Sequence, residues 1–199
     1  ILKAQLVQKV DETTYKPVEI ARWFATEYAG KENLLIAVAN TIKYKYYYKA
    51  QDGTPTTIGP NDLTIVYGNS AGAPESVKDY QVYFQLSNPT DETIYGVKRT
   101  WYTKDNNGEL EEISDDTVNS ELAALEPALL YEDGQTFYIV DVKHLPVGDA
   151  TEKKGEYGIV RNHIYNVKIN SIGGYGSPIY IGDSYLKDPE YPIDPEDEG

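Results

Sequence analysis

The sequence predicts a mainly-β chain, an antiparallel β-sandwich with a few short helices. Three observations predict it. Runs of tyrosine and β-branched residues alternating with polar ones recur along the chain, as half-buried strands require. Between them stand Asp52-Gly53, Asn69, Asn88-Pro89, Asn107-Gly108, Asp133-Gly134 and Gly173-Gly174, where Gly and Asn accept the positive φ of a tight reversal and Pro ends a ladder. Nineteen tyrosines against three phenylalanines favour a large sheet with partly exposed faces, because tyrosine is apolar on its flank and wet at its tip.

In chain order, Pro17 to Asn40 comes first. It sets Val18, Ile20, Ala21, Phe24, Ala25 and Tyr28 at helical intervals, then Leu34, Leu35, Val38 and Ala39 beyond Gly30. Two short helices, or one interrupted helix, are expected. Strands are expected over Ile42–Lys49, Asp79–Leu86, Thr93–Thr103 and Thr136–Lys143. A second helix is expected over Asp116–Leu130, where Glu121, Leu122, Leu125 and Leu129 keep a helical period until Pro127 kinks or ends it. Ile164–Ile169 reads as a strand with Tyr165, Val167 and Ile169 on a buried face and Asn166 and Lys168 opposite, and Ser177–Ile181 as a weaker one. Asp188 to Gly199 packs three prolines and six carboxylates into twelve residues. Such a stretch supplies neither ladder nor core, so an extended linker or tail is expected.

The net charge of −14 repels phosphate backbones and anionic lipid, which argues against nucleic acid as a partner. Cysteine is absent, which excludes a disulfide framework, a thiolate nucleophile and a zinc-thiolate site. No apolar run approaches the ~20 residues needed to cross a bilayer, so no transmembrane segment is expected in this chain. Ile1 is not an initiator methionine and no leader follows it, so any export signal is expected upstream or already removed.

A search for chemistry finds no assembled constellation. His144 and His163 are the two histidines, and neither lies in a His-x-x-x-His pattern. No Gly-x-Ser-x-Gly elbow occurs, and Gly173-Gly174-Tyr175-Gly176-Ser177 lacks the strand-then-helix context of a phosphate loop. Asp105-Asn106-Asn107-Gly108 fails the calcium-loop register, with its glycine two places early and no glutamate at the twelfth position. A hairpin turn explains it. Glu111-Glu112 and Asp115-Asp116 lie in polar stretches without the burial that raises a catalytic pKa. The expectation is a protein that is not an enzyme, with no catalytic residues, no cofactor and no metal.

The most specific stretch runs from Gly155 to Pro178. Within it Tyr157, Gly158, Val160, Arg161, Asn162 and His163 lead into the alternating Tyr165, Val167, Ile169, Ser171 and Ile172, and then into Gly176 and Pro178. Tyr131-Glu132-Asp133-Gly134, Phe137-Tyr138 and Lys143-His144-Leu145 precede it. This ordered set resembles the C-terminal signature of the type V fimbrilins, the major pilus subunits of Bacteroidales. The residues themselves suggest a structural role for Arg161, its five donors clamping a loop.

The resemblance implies a transthyretin-like β-sandwich that does no chemistry. It implies a fimbrilin C-terminal domain with helical insertions over 1–187 and an acidic Pro-rich linker over 188–199. It also implies export as a lipoprotein, trimming by an arginine-specific protease, and assembly into an extracellular fimbrium anchored at the bacterial outer membrane. The expected function is a structural subunit that polymerises by donor-strand exchange, with other fimbrial subunits and accessory fimbrial proteins as partners. The alternative is a tip or accessory adhesin that binds a host or bacterial surface protein or glycan through the loops Asn88–Thr93 and Asp149–Gly155. Such subunits continue from the linker into a last alternating strand, which is not among the residues after Asp188. A domain trimmed at both ends, or a subunit that terminates the fibre, is therefore expected.

Overall fold

The computed structural model of the chain describes residues 1–49, 52–87, 100–139 and 166–179. Every strand pairing among them is antiparallel. The fold is mainly β and sandwich-like, with two short helices.

The chain opens with β1 (Leu2–Gln5), then the exposed ribbon β2 (Val7–Lys9) and β3 (Tyr15–Pro17). The hairpin β4 (Ile20–Trp23) and β5 (Thr26–Ala29) leads into α1 (Gly30–Ile42). Next come β6 (Tyr47–Lys49), β7 (Pro55–Thr57), β8 (Leu63–Tyr67) and β9 (Val82–Leu86). They are followed by β10 (Trp101–Lys104), β11 (Leu110–Ile113) and α2 (Asp115–Ala123). The described chain closes with β12 (Leu129–Tyr131), β13 (Gln135–Tyr138) and β14 (Ser177–Pro178). The sheets are ordered β1-β13-β14, β11-β10-β6-β7 and β12-β4-β5, with β8 and β9 as a ribbon.

One core joins these layers. Leu34, Val38 and Ile42 of α1 meet Ala21 and Trp23 of β4, while Phe84 and Leu86 of β9 meet Val118 and Leu122 of α2. Trp23 and Phe84 pack edge to face at 5.8 Å, and Tyr48 and Trp101 at 5.7 Å, a geometry that adds to simple area burial. Several tyrosines sit as their chemistry requires. Tyr46, Tyr47 and Tyr131 are buried, yet their hydroxyls donate to Glu121, to the Tyr44 carbonyl and to the Gly176 carbonyl.

The helix expected over the first part of Pro17–Asn40 is instead the β4–β5 hairpin. Burial there alternates, with Ala21 and Trp23 inside and Ile20 and Arg22 half-buried, and the Trp23 indole donates to the Glu126 carbonyl at 2.7 Å. Gly30 stands at φ +83°, a left-handed conformation through which no helix runs. The helix starts there, its first turn capped from outside by Glu19, which accepts from the Lys31 amide at 2.7 Å. Ile42, expected to begin a strand, ends this helix with its side chain buried, so β6 begins at Tyr47. α2 ends at Ala123, short of the expected Leu130, and Leu129 belongs to β12.

Residues 166–170, the described part of the expected Ile164–Ile169 strand, join no ladder. Val167 and Ile169 are exposed rather than buried. Alternation alone supplies no partner, and none of the described strands pairs with this run. The Asn88-Pro89 turn, residues 93–99, 140–143 and 180–181, the two histidines, Arg161 and the 188–199 stretch lie outside the described residues.

Candidate functional site

The most constrained local geometry is the seat of the Gly174–Pro178 element on β12 and β13. β12 ends at Tyr131 and the chain reverses through Glu132–Gly134, with Asp133 at φ 49° and Gly134 at φ 68°. Gly134 is obligatory there for a second reason: a Cβ would sit 2.3 Å from the Leu6 carbonyl oxygen. The same close approach lets the Leu6 amide donate to the Gly134 carbonyl at 2.7 Å, fixing the turn to the junction of β1 and β2.

The reversal sets hydroxyl side chains against the main chain of the incoming segment. Tyr138 donates to the Gly174 carbonyl at 2.6 Å, and Tyr131 donates to the Gly176 carbonyl at 3.0 Å. The Thr136 hydroxyl, fully buried, faces the Tyr175 carbonyl and, at 2.9 Å, the Ser177 carbonyl, with one proton to share between them. Four successive carbonyls, Gly174 to Ser177, are thus met by side-chain hydroxyls. Ladder pairing continues as Phe137↔Ser177 and Thr136↔Pro178.

Gly176 makes the fit possible. It stands at φ +69°, and a Cβ would lie 2.4 Å from the Phe137 carbonyl oxygen and 2.8 Å from the Thr136 hydroxyl. Both the backbone conformation and the contact call for glycine.

Tyr175 extends the clasp to β5. Its hydroxyl donates to Glu27 at 2.9 Å and its ring packs on Tyr131 at 5.8 Å. The Glu27 carboxylate as acceptor raises the Tyr175 hydroxyl pKa. Burial raises that of Tyr131, opposed by the nearby Arg22 guanidinium. The arrangement grips backbone through neutral hydroxyls, and its chemistry is that of holding a strand.

Sequence reading singled out Tyr131, Gly134, Gly176 and Pro178, and the structure brings them together. Tyr138 was singled out with them, whereas Thr136 and Glu27 were missed. Three hydroxyl-bearing residues at positions 131, 136 and 138 ahead of a glycine-rich element were the available signal.

The other candidates fall elsewhere. Asp105 forms the β10–β11 hairpin, accepting from the amides of Asn107 and Glu109 at 2.8 Å, and these bonds, Glu109 first, hold its carboxyl below the ordinary range. Glu111 and Glu112 are exposed on β11, and Asp115 and Asp116 lie in the first turn of α2. Among the described residues no group of three histidine or acidic side chains converges as a metal-holding set, and no helix is long and apolar enough to cross a membrane.

The specialised feature of this mainly-β fold is a clasp that holds a main-chain segment of the same chain. Residues 129–199 match the family of the major fimbrial subunit protein type IV, fimbrillin, C-terminal, and this part of the chain is similar to a fimbrillin C-terminal domain. The family description numbers the pilus type IV, whereas the residue pattern resembles type V fimbrilins. The clasp lies inside the matched stretch except for Arg22 and Glu27. No curated protein and no solved structure matches the chain.

Proposed function

We propose that the chain is a structural subunit of an extracellular fimbria, anchored at the bacterial outer membrane, that polymerises by exchanging strands between copies. The fimbrillin match over 129–199 supports the fimbrial role. The observation that carries the exchange is the run 166–172, in which Val167 and Ile169 alternate with polar residues, lie exposed together with Ile172, and have no ladder partner among the described strands. A strand of that pattern is stabilised by pairing that its own sheet does not supply. Other fimbrial subunits and accessory fimbrial proteins are the partners that follow from this reading.

The test is to add an alternating apolar strand peptide to the purified chain and follow it by size-exclusion chromatography and electron microscopy. A stoichiometric complex with a raised melting temperature, and fibres when the strand is supplied in tandem, is the expected result. A chain that stays monomeric and unstabilised would remove the exchange.

A second reading, a tip or accessory adhesin, draws on an open cleft of 630 Å³ between the loop at Gly72–Ser76 and α2, lined by Tyr83, Gln85, Asp116, Asn119 and Ser120. Amide and hydroxyl groups and the Asp116 carboxylate beside a tyrosine suit a saccharide hydroxyl set. Saturable binding of glycans or surface proteins by the stable monomer would favour this reading.

A further inference from the structure

On a protein of net charge −14, basic residues are concentrated in two segments of the sequence. Residues 42–49 and 98–104 hold six of the eighteen basic residues and no acidic one. The described parts of these segments are neighbours, because β6 pairs β10 with Tyr47 opposite Tyr102.

Lysines and tyrosines interleave there. The Lys49 ammonium lies 4.7 Å over the Tyr102 ring and the Lys104 ammonium 4.9 Å over Tyr47. Tyr47 in turn donates to the Tyr44 carbonyl at 2.9 Å, which joins the turn carrying Lys43 and the 76 % exposed Tyr44 to the same face. Lys45 is paired with Glu121. Lys43, Lys49 and Lys104 make no ion pair with any described residue, and each cation is held over a ring within the distance at which the ring face attracts it.

The chain carries a segment of complementary chemistry. In 188–199 the prolines are Pro189, Pro192 and Pro195, one every third residue, and six carboxylates occupy the positions around them. Three residues make one turn of polyproline II, so this spacing would set the prolines along one face and the acids along the others. Aromatic surfaces receive such proline faces, and flanking charge fixes their orientation. Proline also lowers the ordering cost of binding an extended segment.

We propose that the Lys43, Lys49, Lys104, Tyr44 and Tyr102 face of β6 and β10 docks the acidic proline-repeat segment 188–199 of a second copy of this chain. The proposal rests on the fibre reading, since subunits in a fibre bring one copy's segment to its neighbour's surface. It adds a charge-reading contact, distinct from the strand seat on β13, that fixes how successive subunits are oriented.

The test uses a fluorescently labelled peptide of residues 188–199 titrated with the full-length chain by anisotropy. Saturable binding at low salt is expected, weakened about tenfold by the double variant Lys49→Glu/Lys104→Glu through loss of attraction and gain of repulsion. It should also be lost at high salt. A peptide with the same six carboxylates but its prolines moved out of the three-residue spacing should bind several-fold more weakly.

The lysines are exposed, so unchanged circular dichroism checks the fold, and Lys49→Gln/Lys104→Gln should fall between wild type and the reversal. Equal binding by the reversed variant or by the respaced peptide would overturn the proposal. So would binding that appears only after the chain's own 188–199 carboxylates are changed to amides, which would place the segment on its own copy. Fibres without peptide binding would sink this contact alone, whereas peptide binding without strand-driven assembly would sink the exchange reading.

Discussion

Replacing Gly176 with alanine tests the strand seat most sharply. The new Cβ would meet the Phe137 carbonyl oxygen at 2.4 Å, the Thr136 hydroxyl at 2.8 Å and Tyr138 Cε1 at 2.9 Å. Two of these neighbours belong to the clasp and the third is ladder backbone, so relief requires the 174–178 segment to lift. The left-handed conformation costs about 1–2 kcal/mol for a residue with a Cβ. Lifting leaves buried partners such as Thr136 unsatisfied at about 1–3 kcal/mol. Taken together, Gly176→Ala should destabilise by about 3 kcal/mol and lower the melting temperature by roughly 6–12 °C for a domain of this size.

Gly108→Ala is the control, because Gly108 has φ +83° with nothing within 4 Å of a Cβ. It should show the conformational part alone, about 1–2 kcal/mol. Calorimetry gives the totals, and hydrogen exchange of the Ser177 and Ile179 amides localises the loss. The reasoning fails if Gly176→Ala costs no more than Gly108→Ala, or if exchange in that segment is unchanged.

Further outcomes follow from the same geometry. Thr136→Val, which keeps the shape of a fully buried side chain and deletes the hydroxyl facing the Tyr175 and Ser177 carbonyls, should cost about 1–3 kcal/mol by denaturant titration. Ser114→Ala removes the oxygen that accepts from the Thr117 amide at 3.2 Å at the start of α2 and should cost about 1 kcal/mol. Tyr46, Tyr67, Tyr83 and Tyr131 have hydroxyl pKa values raised, with burial as the largest cause. A group that holds its proton more tightly when folded contributes stability that is full below its unfolded pKa, about 10 for tyrosine, and lost as pH rises above it. Tyrosinate absorbance should therefore show a set of tyrosines that ionises only with cooperative alkaline unfolding. A single smooth titration of all tyrosines would contradict the buried roles.

Where local pattern and tertiary packing agree, the sequence was readable. β9, β13 and the Asn107-Gly108 hairpin follow from alternation and turn chemistry. Tyr131, Gly134 and Gly176 stood out as residues before their contacts were known. The β4–β5 hairpin was not readable, because apolar residues at 18, 20, 21, 24, 25 and 28 satisfy a helical period as well as a strand. The choice was made by the Trp23 indole reaching Glu126, a contact 103 residues away in sequence that no local preference encodes. Ile42 is β-branched and was read as strand, yet the buried stripe of α1 takes it. Val167 and Ile169 alternate as a buried strand would, but burial depends on a neighbouring strand, and none of the described strands pairs with this run. Thr136 was hidden for a different reason: threonine is an ordinary strand residue, and only its register opposite Pro178 makes it a clasp.

Immunogold electron microscopy of producing cells, with antibody raised against the folded chain, tests the central claim most directly. A fimbrial subunit should be labelled repeatedly along surface fibres, and deleting its gene should remove those fibres. Label confined to the cell body, or fibres that persist in the deletion, would contradict the account.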